Sequence, residues 1–380
     1  MFIRAKFSEI DELLQDFPVV AIIGPRQCGK STLAAEIVAQ YEEAVFLDME
    51  DPDDRAKLSN PTLFFNAHKG KLICLDEIQF APDLFQVLRS VVDKGKMNGQ
   101  FLLLGSASPE LLRQSSETLA GRIVYVELAP FSLDETPNQD WQKLLVRGGF
   151  PRSYLAKSDK SSLAWRKSFI RTFLERDIAA FGLNLNPENS SRLWQMCAHY
   201  HGQILNYSDF GKSLGLTHPT VRHYVDVLAG TFMLRKLPPY FANLEKRLVK
   251  TPKLYVADSG ILCALLNIPT FNDLLGHPVA GFAWEGFVLQ NILSKAGDEY
   301  EVYFISTSAD AEIDILLKKG RKLIGIECKF STAPKLTKGF YNLKKDLKLV
   351  QSYVVAPVSG SYPLDKTTTV CSPDELLKLL

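Results

Sequence analysis

The sequence predicts an α/β protein whose N-terminal part is built on a parallel sheet, followed by a helical middle and a second, smaller α/β part. Three observations carry that prediction. An apolar run, Val19 to Ile23, leads into Gly24-Pro25-Arg26-Gln27-Cys28-Gly29-Lys30-Ser31, and a helically spaced run from Thr32 follows. The stretch Lys71-Leu-Ile-Cys-Leu-Asp76-Glu77 is an apolar strand ending in two carboxylates. Further apolar runs at 44–48, 100–106 and 123–128 alternate with helical patterns, which implies parallel strands joined by right-handed crossovers.

A chain of 380 residues is expected to hold two or three domains. Its 46% hydrophobic and 23% charged residues are ordinary for a globular protein with real cores. A net charge of +1 excludes a global field for nucleic acid and moves that question to local clusters. The six cysteines, at 28, 74, 197, 263, 328 and 371, form no CxxC pair, so neither a zinc site nor a disulfide framework is expected. Reduced thiols in a cytoplasmic protein are the simpler expectation. The start, Met1-Phe-Ile-Arg-Ala-Lys-Phe-Ser-Glu, lacks the long apolar core of a signal peptide. No apolar run approaches the roughly 18 residues of a spanning helix, so no membrane partner is expected.

Residues 1–17 read as a short lead-in with an amphipathic helix around Ile10 to Leu14. The GxxxxGKS stretch is the phosphate-loop signature, in the strand–loop–helix context that makes it a site. Gly24 and Gly29 permit backbone conformations that turn successive N–H groups onto phosphate oxygens. The helix start adds its positive end. Gly24, Pro25, Arg26, Gln27, Cys28, Gly29, Lys30, Ser31 and Thr32 are therefore the expected ATP cradle. Lys30 is expected at the β- and γ-phosphates, and Ser31 at a Mg²⁺ ion. Asp76 is expected beside the same Mg²⁺, and Glu77 as the base that polarises the attacking water. The second carboxylate favours a hydrolase over a phosphoryl-transferring kinase. The bland alternatives are a chance glycine-rich turn and two acids capping the next helix.

The middle of the chain, 131–204, reads as a helical lid or connector. Tyr207 to Leu228 then reads as a helix-turn-helix: Ser208 caps the first helix, Gly215 makes the turn, and Thr217 with Pro219 opens the second. Leu234 to Tyr240 and Lys253 to Asp258 supply two strands of a wing, giving a winged helix over 205–260. From Leu205 to Lys253 there are eight Lys/Arg against three Asp/Glu, and Arg222 and His223 are placed to face a DNA groove, with Lys246 nearby. Packing against protein is the alternative use of such a fold.

In the last part, 261–380, Trp284 to Leu293 is an amphipathic helix carrying Glu285. Glu312 to Leu317 and Leu323 to Lys329 flank the basic turn Lys318-Lys-Gly-Arg-Lys322 and read as a β-hairpin. A turn centred between Gly320 and Arg321 sets Asp314 opposite Glu327, on one face with Lys329. This D-x12-ExK spacing is the PD-(D/E)xK nuclease pattern, although Ile313 stands where that pattern has proline. Asp314 and Glu327 are the expected Mg²⁺ or Mn²⁺ ligands, Glu285 an extra acid, and Lys329 the residue that orients a metal-activated water. From Ile315 to Val350 ten Lys/Arg face two Asp/Glu, which suits a phosphate backbone or a solvated helix face.

Gly24-Pro-Arg-Gln-Cys-Gly-Lys-Ser-Thr, Leu-Asp76-Glu77-Ile-Gln79, Leu-Gly105-Ser-Ala107, Leu119-Ala-Gly-Arg122, Pro130-Phe-Ser132 and Arg147-Gly-Gly-Phe-Pro151 occur in that order. Over nearly the whole chain this series resembles a prokaryotic family of AAA+ ATPases with a C-terminal domain that looks restriction-endonuclease-like. The last motif and LAGR are the specific ones. The resemblance implies an AAA+ core at 1–130, with Ser106 as the sensor at the γ-phosphate, where asparagine is commoner. It also implies ATP-favoured homo-oligomers in which an arginine, Arg122 or Arg113, reaches a neighbour's nucleotide; a surface arginine or an intrachain ion pair is the alternative for both, and the favoured one for Arg113. Glu175-Arg176-Asp177 looks like another family motif, and its mixed charges suggest a solvated face. The reading is thus an ATPase acting on DNA or other nucleic acid, with a nuclease-like end. The alternatives are a non-cleaving DNA-binding switch and a protein-assembly scaffold.

Overall fold

The computed structural model describes residues 4–106, 118–178, 185–241, 248–297, 299–308 and 311–380. The chain divides into two compact units, Met1–Phe131 with Gly230–Phe232, and Ser132–Ala229 with Met233–Leu380.

The first unit is a five-stranded sheet of β1 (Val19–Gly24), β2 (Ala44–Asp48), β3 (Leu72–Asp76), β4 (Phe101–Ser106) and β5 (Ile123–Glu127). Its order is β2-β3-β4-β1-β5, and every pairing is parallel. A strand sends alternate side chains to opposite faces, and both faces of the central strands β1, β3 and β4 are covered, so these are apolar up to their last residues, while the edge strands β2 and β5 are only partly buried. Val20, Ile22, Cys74, Leu102 and Leu104 pack with α1 (Lys6–Asp16) and α2 (Lys30–Val38), through Ile10, Leu14, Leu33, Ala34 and Ile37. Val19, Ala21, Ile73, Leu75, Phe101 and Leu103 pack on the other face. There they meet Phe65 of α3 (Pro61–Ala67) and Phe85, Leu88 and Val92 of α4 (Leu84–Gly95).

The second unit opens with short helices and α5 (Asp159–Thr172), which runs into a π turn over Phe173–Asp177. The expected solvated face of Glu175-Arg176-Asp177 is only partly one: Glu175 and Arg176 are exposed, but the wider turn carries Asp177 inward to 5% exposure. After α6 (Pro187–His199) come α7 (Tyr207–Leu214) and α8 (His218–Gly230), joined at Gly215, whose φ of 65° is the left-handed helix stop that glycine accepts. The side chain at the start of α7 that caps it is Asn206, accepting from the Ser208 and Asp209 N–H groups. Beside them lies an antiparallel sheet in the order β6 (Gln203–Ile204), β8 (Lys253–Val256), β7 (Leu234–Leu237).

The remaining strands form a six-stranded mixed sheet. They are β9 (Glu301–Ser306), β10 (Glu312–Lys319), β11 (Lys322–Cys328), β12 (Gln351–Val355), β13 (Ser361–Asp365) and β14 (Thr368–Cys371). Their order is β13-β14-β12-β11-β10-β9. β10 and β11 pair antiparallel from Ile315↔Ile326 to Lys319↔Lys322, the register that a Gly320-Arg321 turn requires. The helix α9 (Ala280–Ala296) is anchored to this sheet by the Trp284 indole, which donates to the Val355 carbonyl at 3.0 Å.

His201 is a buried polar residue of this unit, 1% exposed, its Nδ1 accepting from the Val256 N–H at 3.0 Å. Burial pushes its pKa from an ordinary 6.5 down to about 3. The unfolded chain therefore takes up a proton that the folded chain refuses as pH falls below 6.5. This costs stability with a slope of up to about 1.4 kcal/mol per pH unit. Urea unfolding at stepped pH should show a shallower acid decline in His201→Asn, whose side-chain oxygen can keep the Val256 bond, than in wild type; parallel declines would clear His201 of the effect.

Candidate functional site

Because every strand of the first sheet is parallel, all their C-terminal ends lie on one edge. β4 lies between β1 and β3, and Gly24 is paired with Ser106 across β1 and β4. The edge therefore brings the phosphate loop, the Ser106 backbone and Asp76 into one row. Arg113 lies outside the described residues.

The loop's shape follows from its glycines and its anchors. A side chain at Gly24 would run into the Leu128 carbonyl, and Gly29 holds φ at 103° as the N-cap of α2. Gly29 supplies no capping side chain, so the first N–H groups of α2, at Lys30, Ser31 and Thr32, are not taken by a cap. Gln27 adopts φ 63° in the turn before it. The Lys30 side chain is buried and donates to the Gly24 and Pro25 carbonyls at 3.1 and 2.9 Å. Cys28 is structural: its thiol points inward to the Leu128 carbonyl at 3.3 Å, and burial raises its pKa. Arg26 reaches Glu50 at 3.9 Å.

The Ser31 hydroxyl donates to the Asp76 carboxylate, so two hard oxygen donors stand side by side, as a Mg²⁺ ion requires. Burial raises the Asp76 pKa, and the Ser31 bond opposes that shift. Glu77 follows in a left-handed conformation, φ 50° and ψ 44°, uncommon for a residue with a side chain. Its N–H donates to Asp76 Oδ1 at 2.8 Å, and its carboxylate accepts from the Gln79 amide. Arg122 is held within its own chain by Asp93, at 2.5 and 3.2 Å, and by the Ala120 carbonyl at 2.8 Å.

Sequence reasoning missed Arg4, which it left in the lead-in. The guanidinium is 6% exposed and donates to the Cys28 carbonyl at 2.8 Å and the Ala129 carbonyl at 2.6 Å, tying the loop to the segment after β5. No spacing rule marks it.

In the second unit, the expected hairpin acids come together with residues the sequence had not grouped. Lys253, at the start of β8, places its ammonium 2.8 Å from Glu285, 2.5 Å from Glu312 and 3.9 Å from Asp314. Tyr255, two residues on, donates to the same Glu285 oxygen as Lys253. Asp314 accepts the Cys328 N–H at 2.8 Å, and Lys329 pairs with Glu327 at 2.8 Å. Burial and the nearby Asp314 push the Glu285 carboxyl up to about 7, and the same two causes raise Glu327. Burial alone would lower the Lys253 pKa; Glu285, Asp314 and Glu312 more than offset it and hold the ammonium charged. The missing signal was a period of two: Glu312 with Asp314, and Lys253 with Tyr255, are i, i+2 pairs on strands. The expected ligand set of Glu285, Asp314 and Glu327 is thus paired with lysines. Among the described residues no group of three or more His, Cys, Asp or Glu side chains is arranged to hold a metal ion. The residues do not fit the metal that the nuclease pattern implies.

On α8, Arg222 and His223 are exposed, and Arg222 lies 3.8 Å from Asp226. Lys246 lies outside the described residues. Among the described residues no helix is long and apolar enough to cross a membrane.

A phosphate loop entering α2, with an Asp-Glu pair two strands away on the same edge, defines a P-loop ATPase domain. Residues 16–136 match the AAA domain family. Residues 138–272 and 280–376 match two domains of unknown function, DUF8612 and DUF4143. The chain is 38% identical over 374 residues to Uncharacterized protein Rv2008c of Mycobacterium tuberculosis and to Uncharacterized protein Mb2031c of Mycobacterium bovis. Each alignment covers 98% of this chain and 84% of the relative. The chain belongs to the family of these two proteins, with an ATP-binding AAA-type P-loop domain at its N-terminal end. Among solved structures it is similar to the Walker-type ATPase paby2304 of Pyrococcus abyssi, at 15% identity and a TM-score of 0.49, over 70% of this chain and 96% of that one. It is also similar to the Thermotoga maritima RuvB Holliday junction branch migration motor, at 16% identity and a TM-score of 0.29, over 62% and 90%.

Arg4→Ala leaves the Cys28 and Ala129 carbonyls without their charged donor. It should cost about 1–3 kcal/mol of stability and weaken ATP binding. Thermal unfolding with and without ATP reads both effects, and unchanged ATP affinity would make Arg4 a stability residue only.

Proposed function

We propose that the protein hydrolyses ATP and uses the cycle as a nucleic-acid-binding switch. The observation that carries the first half is the row on one sheet edge of phosphate loop, Asp76 and Glu77. The loop N–H groups and Lys30 bind and orient the β- and γ-phosphates. Ser31 and Asp76 would hold Mg²⁺, which neutralises charge on the transferred phosphoryl group. Glu77 accepts a proton from the attacking water, with Gln79 orienting its carboxylate. Ser106 at the end of β4 is the residue offered to the γ-phosphate. ATP-favoured self-association belongs to this reading. The Asp93 partner supports an intrachain duty for Arg122.

The nucleic-acid half is supported by the exposed Arg222 and His223 on the second helix of a helix-turn-helix with antiparallel strands beside it. On this support we read 205–260 as a winged helix, between a helical connector at 131–204 and a nuclease-like domain at 261–380. Metal-assisted cleavage by Asp314, Glu327 and Lys329 is not part of this reading, because Lys253 lies among the acids that would have to hold the metal.

Lys30→Ala should lose ATP binding. Glu77→Gln should keep ATP binding while turnover falls by roughly 10²–10⁴-fold. Unchanged turnover in Glu77→Gln would remove Glu77 from the role of base. For the partner, Arg222→Ala should weaken duplex DNA binding and reduce the slope of log affinity against log salt by about 1. Equal affinity and slope would point instead to a helix-turn-helix that binds protein.

A further inference from the structure

We infer that the acidic cluster of the second unit carries its own cation: the Lys253 ammonium holds the place that a divalent metal takes in a nuclease-like site. The inference deepens the non-cleaving reading of this unit and is independent of ATP hydrolysis. Four carboxylates from three elements meet here, Glu285 of α9, Glu312 and Asp314 of β10, and Glu327 of β11. A hard divalent ion would need several of their oxygens as ligands, completed by waters. Five of those eight oxygens already face a cation or a donor. Glu285 Oε1 accepts from both Lys253 and Tyr255. Glu312 Oε1 pairs with Lys253 at 2.5 Å. Asp314 faces Lys253 through Oδ1 and takes the Cys328 N–H on Oδ2. Glu327 Oε1 is held by Lys329. Among the described residues Glu327 Oε2 is buried with no partner, and an ion that used it would still have to share Glu285 and Asp314 with the ammonium.

The ammonium is fixed rather than visiting. The Lys253 side chain is 4% exposed, and its Nζ lies 5.5 Å from the centre of the Phe304 ring. A metal that reached Glu285 and Asp314 would come within a few ångströms of a buried like charge, where repulsion is weakly screened. It would have to expel the lysine to bind. Removing the lysine charge should therefore do the opposite of an ordinary core truncation: it should create a metal site.

The test is Mn²⁺ binding to the full chain without nucleotide, followed by electron paramagnetic resonance, together with thermal unfolding in Mn²⁺ or EDTA. Wild type and Asp314→Asn should bind Mn²⁺ alike, and the wild-type midpoint should not move with Mn²⁺. Lys253→Met should gain one bound Mn²⁺ per chain, lose it again in Lys253→Met/Asp314→Asn, and unfold at higher temperature in Mn²⁺ than in EDTA. A wild-type ion that Asp314→Asn releases would overturn the inference, as would a folded Lys253→Met that gains none. Lys253→Gln, which keeps a donor for the carboxylates, replaces Lys253→Met if that variant does not fold. The wild-type and Asp314→Asn pair decides without any change at 253. DNA cleavage by wild type in EDTA would sink the non-cleaving reading while leaving Lys253 as the resident cation.

Discussion

A parallel sheet buried on both faces has one property that the nucleotide site cannot do without: every strand delivers its last residue to the same edge. The apolar faces are what make the sheet possible. Val20, Ile22 and Leu104 meet α1 and α2 while Val19, Ala21 and Leu103 meet α3 and α4. With β4 between β1 and β3, the edge holds the loop of Gly24–Ser31 and the Asp76-Glu77 pair in fixed relation. Sharp backbone turns are then affordable at Gly29, Gln27 and Glu77, because the strands on either side over-determine them. Arg4 belongs to the same arrangement: it satisfies the carbonyl of Cys28 from beneath and leaves the loop's donors to the phosphates.

The second unit depends on a different interaction. Taking charges out of water costs several kcal/mol per ion, and a buried cluster persists only when each charge has partners. Lys253 meets three carboxylates, and Lys329 meets the fourth. The cluster thereby ties the start of β8 to α9 and to β10, elements far apart in sequence. Deleting one partner of such a cluster typically costs about 3–5 kcal/mol, because the charges left behind are uncompensated.

What could be read from sequence was what local rules govern. The phosphate loop has a fixed spacing, and the β10–β11 hairpin has a period of two and a glycine turn, so the register from Ile315↔Ile326 onward follows from the turn position alone. What could not be read was long-range pairing. Lys253 opens an apolar strand and reads as the edge of a wing; that it meets Glu285, 32 residues on, is decided by how β8 and α9 pack. Sequence offers Arg122 equally to a neighbour's nucleotide and to an intrachain ion pair; that Asp93, 29 residues away, lies beside it is decided by the fold. Asp177 looked solvated because a helix period was assumed, and the π turn changes which side chain faces inward.

The same distinction bears on charge. Counted along the chain, Leu205–Lys253 has an excess of basic residues, yet the count includes Lys253, which is buried in the acidic cluster, and Arg222 and Lys236, which share Asp226 at 3.8 and 2.6 Å. In the basic stretch from Ile315 to Val350, Lys318, Lys319, Lys329 and Lys344 pair with Glu301, Glu299, Glu327 and Asp365. The field a phosphate backbone would meet is thus set by fewer cations than the sequence supplies, among them the exposed Arg321, Lys322, Lys335, Lys338, Lys345 and Lys348. Each phosphate neutralised by a cation contributes to the salt dependence of binding, whereas a lysine already facing a carboxylate must first give that partner up. A nucleic acid that engages this unit would therefore do so through the exposed cations, Arg321 and Lys322 of the hairpin turn and the lysines around Lys338 and Lys345, rather than through Lys318, Lys319 and Lys329, which already face carboxylates.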